Sequence, residues 1–143
     1  MYWRGIVHDI SKFQPCEFIP YSRYFCGKPT EDSDIRNKLK IDFNKAWEHH
    51  KKHNKHHWEH WLITTDNGEI KPKRMPIKYL KEMVCDWHAM TCTINDGKIE
   101  TTIKWFMDHK EINLNFCNKV EIVRVFDELD KKINKTTSVD LVV

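Results

Sequence analysis

Apolar residues recur at three- and four-residue spacing along most of this chain, the period of helices that bury one face. Ile35, Leu39, Phe43, Ala46 and Trp47 hold that spacing through a long helix that runs into a histidine-rich stretch. Phe18, Tyr21 and Phe25 mark a shorter helix before it, opened at Pro15 and ended by Gly27, with Pro20 as a place for a kink. Residues 4–12 read as another short helix. Lys28 to Asp32 is a polar loop, and Asp32 or Ser33 can cap the long helix. From Leu62 to Lys71 the character changes. Ile-Thr-Thr, then Asp66-Asn67-Gly68, then Glu-Ile-Lys predict a small hairpin with a tight turn. Pro76 opens a helix that turns Leu80, Met83, Val84 and Trp87 inward, and Asn95-Asp96-Gly97 breaks it. Ile99, Ile103 and Phe106 give the next helix. Ile122, Phe126, Leu129 and Ile133 give the last, with residues 135–143 as a frayed tail. The expected fold is all-α, one domain over residues 1–134 carrying a small β-hairpin insertion.

The helical period also sorts the histidines. With residues 43–61 taken as one continuous helix, Phe43, Trp47, His50, Asn54, His57 and Trp61 fall within an arc roughly 80° wide. Its aromatic members make this the buried face. His49, His53, His56 and His60 form a second stripe roughly 100° away, read as solvated surface. Should the helix end near Asn54, His56 rather than His57 turns inward. Imidazoles between Trp47 and Trp61 need partners, because desolvating an unpaired polar group is costly. A divalent metal held with a carboxylate is one solution, and a pair of hydrogen-bonded core histidines is the plainer one.

The pair His8-Asp9 favours metal. Neighbours on a helix point about 100° apart, so both reach one cation only from a helix end or a packed groove. Asp can bridge two cations while His terminates one. Asp86, at the edge of an apolar stripe with Tyr79, Met83 and Met90, is the candidate second carboxylate. Lys12 lies one turn beyond His8 on the same side and suits a phosphate as a point charge. Cys85-x-x-His88 has no second half that would make a zinc site.

Composition narrows the choices. A net charge of +3 is too small to argue for nucleic acid, and the run Lys51, Lys52, Lys55 reads as a solvated face. Five cysteines, an odd number without CxxC spacing, predict free buried thiols in a reducing compartment. No apolar run is long enough to cross a bilayer, and the first residues lack a signal-peptide pattern. A cytoplasmic protein is expected, in the host cytoplasm if a phage encodes it. Oligomeric state is not legible.

His8-Asp9-Ile10-Ser11-Lys12-Phe13, followed by Ala46-Trp47-x-His49-His50-x-x-x-Asn54-x-His56-His57-Trp58, resembles an uncharacterised family of short bacterial and phage proteins. That family looks related to the HD-domain superfamily of metal-dependent phosphohydrolases. Trp3-Arg4-Gly5 and Glu17-Phe18-x-x-Tyr21 share the likeness, which covers roughly residues 3–90. The resemblance implies an HD-domain-like helical bundle holding one or two divalent ions (Mn, Fe, Mg, Co or Zn). His8 and Asp9 match the signature pair, Asp86 the closing acid, and His50 with His56 or His57 the additional ligands. Asp9, Lys12 and His57 then become the catalytic set, with His57 as a proton shuttle. Lys12, Asn54 and Trp58 would meet the substrate, a nucleotide or other small phosphate ester. The superfamily's first His precedes the pair, and residues 1–7 contain none. The alternative is therefore an inactive helical module that binds a nucleotide or a protein.

Overall fold

The computed structural model describes residues 7–140, with side chains through residue 135. The chain is mostly helical with one small hairpin, as its periodicity predicts. It forms two compact units, Met1–His60 and Trp61–Val143.

The first unit is built on two helices, α1, Pro15–Cys26, and α2, Ser33–His53. Pro15 stands in the first turn of α1, where its missing N–H costs nothing, and Pro20 lies inside the helix without ending it. Gly27 follows at φ −66°, so no left-handed turn is involved. Its glycine is required by space: a Cβ there would lie 2.2 Å from the Arg23 carbonyl oxygen. Asp32 caps α2, accepting from the backbone N–H of Asp34 at 2.8 Å and of Ile35 at 3.1 Å. Phe43 of α2 packs on Tyr21, Tyr24 and Phe25 of α1, with ring centroids 5.1, 4.4 and 5.4 Å away.

Two expectations change here. The His-Asp pair is not carried on a regular helix over residues 4–12; residues 4–6 lie outside the described residues. His8 and Asp9 form a turn leading into a 3-10 helix, Ile10–Phe13. The long helix does not continue to residue 61 either. It stops at His53, with Asn54 extended (φ −96°, ψ 118°), and a second 3-10 helix follows at Trp58–Trp61.

In the second unit β1, Leu62–Thr64, pairs antiparallel with β2, Ile70–Pro72, in the register Leu62↔Pro72, Ile63↔Lys71, Thr64↔Ile70. Gly68 takes φ 82° in the connecting turn, a left-handed conformation that favours glycine. Then come α3, Ile77–Ile94, α4, Ile99–Asp108, and α5, Phe116–Asp140. The last helix runs beyond its apolar period, which ends at Ile133. Met75, Leu80, Met83, Val84, Ile122 and Phe126 fill an apolar core. Asn118, fully buried, clamps the backbone of Met75, accepting from its N–H and donating to its carbonyl, both at 2.8 Å. His88 faces Thr102 of α4 at 3.0 Å. The five cysteines are free, as their odd number predicts, but all are exposed and none is a core thiol. Among the described residues no helix is long and apolar enough to cross a membrane.

Candidate metal centre

The first unit differs from the second in what it buries. Its buried residues among those described are Ala46 and four polar ones: Ser11, Glu17, His50 and His56. A polar interior of that kind persists only if its groups satisfy one another or a ligand.

Part of it is internally satisfied. Glu17 projects inward from the first turns of α1 with its side chain fully buried. One carboxylate oxygen lies 2.7 Å from His49 Nδ1, and the other 2.9 Å from both His50 Nδ1 and the Ser11 hydroxyl. Asn54, capping α2, donates from Nδ2 to Ser11 Oγ at 2.7 Å and to the His50 carbonyl at 2.9 Å. That cap explains why α2 ends where it does. The Asn54 amide ties the last helical turn to the 3-10 helix carrying Ser11, and the chain then doubles back through His56 and His57.

The remainder is not satisfied. Asp9 Oδ1 sits 3.2 Å from His50 Nε2 and 3.4 Å from His56 Nε2. Asp9 Oδ1 and the Nε2 atoms of His50, His56 and His57 are all buried without a hydrogen-bond partner. One ligand atom from each of these four residues falls within 4.8 Å of the others. In a tetrahedron, neighbouring ligands are about 1.6 bond lengths apart, so zinc bonds of roughly 2.0–2.1 Å place them about 3.3–3.4 Å apart. The two Asp9–imidazole distances match that edge, and the set as a whole is somewhat wider. Trp47 fixes the rings from one side, stacked on His50 at a 14° interplanar angle and edge-on to His57.

The other Asp9 oxygen has different company. Lys12 Nζ lies 2.5 Å from Oδ2 and His8 Nε2 3.5 Å from it. Burial pushes the Asp9 carboxyl up, but the approach of His50, His56 and Lys12 outweighs burial and holds it well below the usual carboxylate range. Glu17 behaves alike. Burial raises it, and the bonds from His49, His50 and Ser11 bring it below the ordinary glutamate value. His57 is driven down to about 2, first by burial and then by repulsion from His56 and His50. Both carboxylates are therefore ionised and His57 is neutral at pH 7, the protonation states that metal ligation requires.

Residues 1–135 match the family described as "Family of unknown function (DUF5662)". The chain belongs to that family. No curated protein and no solved structure matches it.

This DUF5662 chain brings together Asp9, His50, His56 and His57. Both histidines of the 56–57 pair join the cluster because the helix breaks at Asn54. On an unbroken helix His56 belongs to the solvated stripe. His8 stands beside Asp9 on the oxygen that faces Lys12. Asn54 is occupied in capping, and Trp58 is half-buried at the start of the second 3-10 helix. Asp86 belongs to the second unit, half-buried on α3. His53 lies on the outer stripe as expected, exposed and bonded through Nδ1 to the His49 carbonyl. The cationic run is partly spent, with Lys51 2.7 Å from Glu48 and poised over the Trp47 ring. Sequence periodicity missed Glu17 and Ser11. It makes Phe18 part of the inward face of α1, yet Phe18 is 53% exposed and Glu17 fully buried. The available signal was the spacing Glu17, Tyr21, Tyr24 (i, i+4, i+7), which sets the acid on the side of α1 that meets Phe43.

Proposed function

We propose that Asp9, His50, His56 and His57 bind a divalent metal ion, and that the protein is a metal-dependent phosphohydrolase acting on a nucleotide or another small phosphate ester. One observation carries the reading. A buried carboxylate oxygen and three buried imidazole nitrogens converge, none with a hydrogen-bond partner. At 3.2–3.4 Å an Asp9 oxygen and two imidazole nitrogens are held together by a proton on Nε2 or by a shared cation, and a cation serves all of them at once. The donor set, three nitrogens and one carboxylate oxygen, suits zinc, manganese, iron or cobalt better than calcium.

A bound ion of this kind polarises a phosphoryl oxygen and acidifies a water molecule. The protein's own groups divide the remaining work. Asp9 supplies the only negative charge among the four ligands. Neutral His57, which takes up no second proton near neutral pH, has one ring nitrogen whose lone pair a cation can use. Lys12, partly exposed beside Asp9 Oδ2, is placed to steady the phosphate oxygens of a substrate arriving from solvent. His8, also partly exposed, stands 3.5 Å from the same Asp9 oxygen, at the edge where a substrate would arrive. The resemblance to HD-domain phosphohydrolases supports the same chemistry.

Metal analysis of the purified chain, followed by release of phosphate from nucleotides and p-nitrophenyl phosphate with Mn, Fe, Co, Zn or Mg, tests this. The reading predicts bound metal and metal-dependent phosphate release that Asp9→Asn abolishes. Metal binding without turnover on any ester leaves the centre and removes the hydrolase. Absence of both removes the whole proposal.

A further inference from the structure

Glu17 is buried more completely than any ligand except His50, yet it touches no position where a metal would lie. We propose that Glu17 is the positioning residue of the centre, a carboxylate that fixes a proton on Nδ1 of His50 and of His49 so that His50 Nε2 is the nitrogen left for a cation beside Asp9 and His56. This inference rests on the metal reading and assigns a role that reading does not need.

The hydrogen count around His50 Nδ1 leaves one arrangement. Four polar atoms crowd together: His50 Nδ1, Glu17 Oε2, Ser11 Oγ and Asn54 Nδ2. The two Asn54 amide hydrogens go to Ser11 Oγ and to the His50 carbonyl, so neither remains for Nδ1. Turning the amide over would set its oxygen against that carbonyl. The Ser11 hydroxyl donates to Glu17 Oε2 at 2.9 Å. Glu17, ionised, only accepts. The 2.9 Å contact between Glu17 Oε2 and His50 Nδ1 is then a hydrogen bond only if Nδ1 carries the proton. With Nδ1 committed to Glu17, Nε2, the atom 3.2 Å from Asp9 Oδ1, is the one nitrogen His50 can give to a metal. His49 Nδ1 meets the other oxygen at 2.7 Å, so one carboxylate sets two neighbouring rings. Carboxylates that orient metal-binding imidazoles in this way typically change metal affinity by roughly 10- to 100-fold when removed.

Glu17→Gln is the discriminating change. An amide offers one acceptor oxygen, and its NH2 would point a donor at whichever imidazole faces the other side. That ring must turn its lone pair to Nδ1 and move its proton to Nε2. In the 15N-labelled full-length chain, stripped of metal with a chelator at pH 8, imidazole two-bond 1H–15N spectra report each tautomer. The wild-type protein should show His49 and His50 as Nδ1–H. Glu17→Gln should convert one of them to Nε2–H and weaken zinc binding by roughly 10- to 100-fold. His49→Gln serves as control, with His50 remaining Nδ1–H and zinc affinity within a few-fold of wild type. A wild-type His50 found as Nε2–H overturns the proposal, and so does Glu17→Gln with both tautomers and zinc affinity unchanged. Should Glu17→Gln fail to fold, the wild-type spectrum together with His49→Gln decides. A wild-type chain that takes up no zinc overturns the metal reading instead, while the tautomers remain measurable.

Discussion

Asp9→Asn keeps the size of the side chain and removes the one anionic ligand. At an effective dielectric constant of about 20, two unit charges about 4 Å apart interact by about 4 kcal/mol. Loss of that attraction for a divalent ion is therefore a lower bound of about 4 kcal/mol, near a thousandfold in Kd. Repulsion adds to it, because the Lys12 ammonium beside Asp9 loses its counter-charge. The effect is readable in a melt. Metal at 100 times the wild-type Kd stabilises the folded state by about 2.7 kcal/mol. With roughly 4 °C per kcal/mol for domains of this size, the wild-type Tm should rise by about 10 °C. At the same concentration the Asn variant binds almost nothing and its Tm should rise by less than about 1 °C. Each protein must be compared with its own metal-free melt, since loss of the partly exposed Asp9–Lys12 pair alone costs about 1 kcal/mol or less. An Asn variant that retains the full metal-dependent rise would refute Asp9 as a ligand.

His53→Ala, on the outer stripe, should leave metal affinity and the metal-dependent Tm rise unchanged in the same melts; a loss matching Asp9→Asn would mean that the faces of α2 are misassigned. Metal-free protein should lose stability as pH falls below 6.5, because the unfolded chain protonates His57 there while the folded chain holds it down to about 2. The slope is roughly 1.4 kcal/mol per pH unit. Asp9 and Glu17, held below their ordinary values, add a further loss of stability below about pH 4. Urea denaturation at pH 7, 6 and 5 measures this, and a flat profile contradicts the burial of a neutral His57. Asn118→Ala strips both backbone partners from Met75 and should destabilise the protein by about 2–4 kcal/mol. Chemical denaturation showing less than about 0.5 kcal/mol would mean that Asn118 is not the clamp its distances suggest.

Periodicity made the second unit nearly transparent. Leu80, Met83 and Val84 are buried where their spacing puts them, and Asp66-Asn67-Gly68 turns the hairpin with glycine in its left-handed position. The first unit was harder because its interior is polar. Apolar spacing selects Phe18 as inward, whereas three hydrogen-bond donors gathered from Ser11, His49 and His50 draw Glu17 in instead. The end of α2 was equally hidden. It depends on Asn54 reaching Ser11, 43 residues earlier, a contact that no local window contains. That same break brings His56 to the centre. Asp9, His50 and His57 were legible from the aromatic face and the His-Asp pair, but the carboxylate behind His50 was not.

Whether four side chains share one cation is decided by anomalous diffraction at the metal absorption edge of crystals loaded with zinc or manganese. A peak is expected within coordination distance of Asp9 Oδ1, His50 Nε2 and His56 Nε2, with His57 completing the set. A peak seated instead on the outer histidines, His49 and His53, or no ordered peak at all, rules out a shared ion at this centre.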